Sequence, residues 1–209
     1  MNGSKLIGWM LIIGVVVVIG SFFVEPTGGS DSNFEQIVAD YVGAPAQTAV
    51  SNTLGLLGMI MVLLGLSYYA RRNQSETQPD IVNIASSLAF VSVAIAAAAL
   101  GVSSGLTWKE VAAENHLVVY TISETMFMGV FSLVSLSFIL LAVGLFGRQT
   151  TLLLKASWGA VGLIGLALAT SMTGLAGDSS AAEVFDIIGF LGLPILFIVL
   201  GVRTIRSSE

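Results

Sequence analysis

The sequence predicts an all-α fold: a polytopic membrane protein whose six transmembrane helices form one bundle. Three observations predict it. The chain is 55% hydrophobic and only 10% charged over 209 residues, whereas a soluble domain carries about 25% charge. Its mean hydropathy of +0.92 makes lipid the solvent for most of its length. Six apolar runs, each near the ~20 residues that cross a bilayer, are separated by short polar stretches. Of the 8 Lys and Arg, Lys5, Arg71, Arg72, Arg148, Lys155, Arg203 and Arg206 fall on one side of those runs and only Lys109 on the other.

The first run, residues 6–24, is longer than the apolar part of a signal peptide, and Ser21-Phe22-Phe23-Val24-Glu25-Pro26 lacks a small-residue cleavage pattern. It is read as a span that Glu25-Pro26-Thr27-Gly28-Gly29 terminates. In the polar interval that follows, Phe34, Ile37, Val38, Tyr41 and Val42 share helical spacing after the capping residues Asp31-Ser32-Asn33. Two readings fit about 34–42: an amphipathic helix lying on the outer surface or lidding the bundle, or an ordered loop with one helical turn.

The second span, about 48–70, stops at Arg71-Arg72, and the third covers about 81–101. In the third, the run Ala94 to Ala99 offers a smooth surface for close packing. Ser103 to Asn115 connects onward, with Trp108 suited to the headgroup level and a helical turn or two expected from Trp108 to Glu114. The fourth, fifth and sixth spans are about 117–147, 153–174 and 184–202. Glycines at 55, 58 and 65, at 159, 162 and 165, and at 189 and 192 fall where helices in lipid need close backbone approach. Pro194 frees a carbonyl inside the sixth span, as a structural kink or as a gate.

Val62-Leu-Leu-Gly-Leu-Ser-Tyr-Tyr-Ala-Arg71 lines up with Ile139-Leu-Leu-Ala-Val-Gly-Leu-Phe-Gly-Arg148. The second and third spans and the fourth and fifth thus read either as a parallel hairpin repeat or as two ordinary exits from a bilayer. The basic residues place both termini in the cytoplasm, and the expected location is the plasma membrane, multi-pass. Most acids gather on the opposite side.

Composition excludes several classes. A net charge of −5 with few, scattered basic residues argues against a nucleic-acid partner, and the absence of cysteine removes thiolate metal sites and Fe–S clusters. One histidine is too few for bis-histidine haem. Gly101-Val-Ser-Ser104-Gly has the shape of an intramembrane serine-protease motif, but the one base, His116, follows only twelve residues later. Met59/Met61 and Met126/Met128 diverge on a helix and read as packing rather than copper ligands. No cofactor, no resident metal and no catalytic residue is expected.

The fourth span carries the candidate site. If its helix begins at His116, then His116, Tyr120 and Glu124 lie near one face. Glu124 falls about two turns inside the boundary, where a charge is costly, so it should face the bundle interior or find a partner. Candidate ligand-binding or proton-titrating residues are therefore Glu124, Asp186, His116, Tyr120 and Asn52, with Thr170, Ser171 and Thr173 nearby. Together they sketch a polar pocket open to the outside. A metal at His116, Glu124 and Asp186 is a weaker reading, because no diagnostic spacing accompanies them.

Tyr68-Tyr69-Ala70-Arg71, and Gly-Leu-Phe-Gly-Arg148 followed by Ala156-Ser157-Trp158-Gly159-Ala-Val-Gly162-Leu-Ile-Gly165, give the chain its family likeness. Over about residues 5–205 it resembles a small prokaryotic six-helix integral membrane protein family of unknown function. The resemblance implies the fold and carries no activity. The function expected is that of a non-catalytic accessory subunit, or a binder of lipid or another apolar ligand in an outward-facing pocket. The alternative is a small transporter or proton/ion pathway using Glu124 and Asp186. The partners expected are the lipid bilayer and other membrane subunits.

Overall fold

The structure, a computed structural model, describes residues 3–26, 33–72, 79–108, 111–147, 152–173 and 180–206. Among them are seven α-helices: α1 (Gly3–Val24), α2 (Phe34–Gly43), α3 (Pro45–Arg72), α4 (Pro79–Ser104), α5 (His116–Phe146), α6 (Leu152–Thr173) and α7 (Ser180–Arg206). Two 3-10 turns, Gly105–Thr107 and Ala113–Asn115, lie between α4 and α5, and no strand occurs among the described residues. Four stretches are long and apolar enough to cross a membrane: Gly3–Val24, Pro45–Arg72, Asp80–Thr107 and Ala113–Phe146. In α6 the apolar helical segment is shorter, Trp158–Thr170.

The six long helices close a ring. Each packs on the next (α1 on α3, then α4, α5, α6 and α7), and α7 returns to α1. The outward face of α1 shows why lipid suits it: Leu6, Trp9, Ile13 and Val16 form an exposed apolar stripe while Leu11 and Val15 are buried. Water would penalise such a stripe, and lipid does not.

Small residues make the seams. A Cβ at Gly14 would stand 2.9 Å from the Gly58 carbonyl oxygen, and one at Gly58 would stand 2.7 Å from that of Gly14, so α1 and α3 touch backbone to backbone. The expected role of Gly58 is met, whereas Gly14 was not among the glycines singled out by spacing. Along α4, Ala85, Ala89, Ser92, Ala96, Ala99 and Ser103 form one buried stripe. From α5, Ser137 Oγ donates to the Ala85 carbonyl at 2.8 Å and Ser123 Oγ to that of Ala99 at 3.0 Å. Such bonds substitute for the hydrophobic drive that lipid removes.

Element ends run past the apolar stretches. α3 begins at Pro45 rather than 48, because proline at the first helical position gives up no needed hydrogen bond. α4 continues to Ser104, whose hydroxyl donates to the Leu100 carbonyl at 2.8 Å. α7 exceeds 184–202 at both ends, since helix propagation ignores the hydropathy limit. The helix expected at about 34–42 is present as α2, capped by Asn33, whose side chain accepts from the Gln36 amide at 2.9 Å. Asp31, Ser32, Lys109, Glu110 and Arg148 lie outside the described residues.

One end of the ring is filled. Leu11, Leu66, Phe138 and Leu141 are each no more than 1% exposed. Phe138 packs at a tilt against Phe197 with centroids 5.5 Å apart, and Tyr69 against Trp158 at 6.1 Å. At this end Arg71 Nε donates to Ser86 Oγ at 2.9 Å, and Arg72 bonds Ser4. The other end, under α2, is hollow.

Candidate ligand pocket

α2 is tied over the hollow end by its buried face. Val38 and Tyr41 pack with Leu106 of the first 3-10 turn and Tyr120 of α5. The Tyr120 ring meets Phe34 edge-on at 5.3 Å and Tyr41 at 5.9 Å, the geometry aromatic quadrupoles prefer. Thr48 Oγ1 donates to the Tyr41 carbonyl at 2.9 Å, fixing α2 to the first turn of α3.

Beneath it lies a polar chamber of about 290 Å3. Its polar walls include Glu25 just past α1, Tyr41 of α2, Asn52 of α3, Ser103 of α4, and Tyr120 and Glu124 of α5. Asn52 Nδ2 donates to Ser103 Oγ at 3.2 Å, joining α3 to α4 at the rim. Ser51 Oγ donates to the Ser21 carbonyl at 3.3 Å. The Tyr41 hydroxyl donates to Glu25 Oε1, linking α2 to the end of α1. Burial, then this hydrogen bond to Glu25, then the negative charge of Glu25 push the Tyr41 phenol well above its ordinary range.

A second, apolar chamber of about 180 Å3 adjoins it toward the middle of the helices. Val18, Phe22, Met59 and Phe131 wall both chambers. Deeper, Val15, Val62, Val134, Pro194 and Phe197 enclose the apolar one. One turn further along the same helices, Leu11, Leu66 and Phe138 are buried.

Of the residues expected in the site, Glu124, Tyr120 and Asn52 share the polar chamber. His116 does not line it, although α5 does begin there. Eight residues of helix rotate the side-chain direction by about 80° and shift it about 12 Å along the axis, so His116 leaves the wall that Tyr120 and Glu124 share. His116 Nε2 is instead buried with no hydrogen-bond partner among the described residues. Asp186 lies on α7, but its side chain is outside the described residues, as are those of Ser171 and Thr173. Thr170 Oγ1 bonds back to the Ala167 carbonyl at 2.8 Å, and no described residue of α6 or α7 walls the polar chamber. Among the described residues no three of His, Cys, Asp and Glu gather as metal ligands.

Sequence reasoning did not place Glu25 in the site; it read Glu25 as part of a helix terminator and as one of the acids on the outer side. The available signal was Tyr41 on the apolar face of α2: a buried phenol seeks a partner, and Glu25 is the acid at the end of the preceding helix. Compared with models of protein families, with curated proteins and with solved structures, the chain matches none.

Proposed function

We propose that this is a six-span plasma-membrane protein, with both termini in the cytoplasm, that binds a lipid or similar apolar ligand without catalysis in a pocket facing outward. The observation that carries the reading is the adjoining pair of chambers, polar under α2 and apolar below, with Leu11, Leu66 and Phe138 fully buried one turn further along the helices. Pockets of this kind, apolar with a few convergent polar groups, are the usual form of small-molecule sites. The positive residues at the filled end support the orientation. The successive pairs α3–α4 and α5–α6 in the ring support a duplicated hairpin, and the Tyr68–Arg71 and Trp158–Gly165 motifs support membership of the small prokaryotic six-helix family.

A transporter or proton/ion pathway has less support. Polar side chains would have to continue to the filled end, and the apolar chamber and the Phe138–Phe197 pair interrupt them. Native mass spectrometry of the protein, extracted in mild detergent, tests the reading. A bound lipid-sized mass that survives gentle activation is expected; a bare polypeptide at every activation energy contradicts it.

A further inference from the structure

The two chambers differ in chemistry in a way that specifies an occupant, and the inference rests on the binding role proposed above. Glu25 and Glu124 both wall the polar chamber, and no described Lys, Arg or His walls either chamber. The Tyr120 ring and the rings of Phe127 and Phe131 join the two carboxylates there. Carboxylates accept hydrogen bonds from an ammonium group, and aromatic faces attract a cation at close range. The same carboxylates repel phosphate, sulfate and carboxylate heads, and no described basic side chain is present to offset that. A positively charged head group therefore fits, and a phosphate-bearing lipid head does not.

The apolar chamber supplies the other half. It is walled by aliphatic and aromatic side chains and meets the polar one at Met59 and Phe131, so a tail extends from a head held between Glu25 and Glu124. Phe22 walls both chambers and is 66% exposed on the outer surface of α1. Entry from the surrounding lipid past Phe22 follows from that position.

We infer that the pocket takes a single-chain amphiphile with a primary amine head, the head between Glu25 and Glu124 and the tail between α1, α3, α5 and α7.

The full-length protein in phosphatidylglycerol nanodiscs, a host bilayer without amines, tests this with three photoreactive probes. Dodecylamine, dodecanol and dodecanoic acid, each with a diazirine in the tail, are cross-linked and the labelled peptides mapped. Saturable labelling by the amine at the Val130–Val134 and Leu193–Phe197 segments is expected, with about tenfold weaker apparent affinity in Glu124→Gln and in Glu25→Gln, the scale of one lost charge-assisted contact. The acid should not label these segments saturably.

Equal saturable labelling by all three probes overturns the amine head and leaves a general apolar-ligand site standing. Absence of saturable labelling by any probe overturns both. Unchanged amine labelling in Glu124→Gln overturns the assigned head position. Wild-type comparison across the three probes needs no variant to fold, and thermal unfolding of each variant in the same discs identifies any that does not. Met59→Trp, placed where the chambers join, should abolish amine labelling of the deeper segment while the rim stays reactive; undiminished labelling overturns the tail position.

Discussion

Tyr41 and Glu25 form the contact on which the lid depends. The phenol of Tyr41 is buried and donates to Glu25, and the loss of a hydrogen bond to a charged group costs about 1.5–3 kcal/mol. Glu25 is only partly buried, so Tyr41→Phe should cost toward the lower end of that range, read as a fall in thermal midpoint in detergent. The pH dependence has a defined sign. The folded protein holds the phenolic proton more tightly than the unfolded chain, whose tyrosines ionise near pH ~10. The contribution is therefore full below pH ~10 and is lost as pH rises through the folded value. In a spectrophotometric alkaline titration the fraction of phenol that stays un-ionised well above pH ~10 should be smaller in Tyr41→Phe than in the wild type by one tyrosine. An unchanged resistant fraction would place the protected phenol elsewhere.

At the scale of elements, the ring depends on how closely helices approach. The Gly14–Gly58 crossing leaves no room for a methyl group, whereas a Cβ at Gly20 meets nothing within 4 Å. Gly58→Ala must push α1 from α3 and should destabilise by about 1–3 kcal/mol, as overpacking does. Gly20→Ala should not lower stability, since alanine also favours the helix. Thermal unfolding of the two variants side by side checks this, and equal behaviour would contradict the close crossing. Residue spacing identified Gly58 but not Gly14 or the similar Gly8–Gly201 pair, where each Cβ would stand within 2.7 Å of the other's carbonyl oxygen. A glycine in an apolar run announces close packing only when its partner is known, and the partner of α1 depends on the closure of the ring.

For the molecule as a whole, hydropathy and charge made most of the architecture legible before any coordinates: the long helices, the capped amphipathic α2 and the inward placement of Glu124 all follow from period and polarity. The site was legible in part. Glu124, Tyr120 and Asn52 do meet, because each is a polar residue at the same end of an apolar helix. His116 falls away through the 3.6-residue period, and Glu25 enters because α2, packed on α3, α5 and the first 3-10 turn, brings Tyr41 to it, a contact that no local spacing encodes. The apolar chamber was not legible at all. Its walls are ordinary aliphatic residues, and only the packing of four helices leaves the space between them.

That space separates a blind binding pocket from a passage, and the chain is well suited to asking which it is, since it contains no cysteine. Asn52→Cys places a thiol in the polar chamber, and Ser67→Cys places one within the filled end. Proteoliposomes of defined orientation, treated with a membrane-impermeant thiol reagent from one side at a time, give the decisive rates. Asn52→Cys should be modified from the outer side only, and Ser67→Cys should resist the reagent from that side. Modification of Ser67→Cys from the outside, or of Asn52→Cys from the cytoplasmic side, would contradict the blind outward pocket.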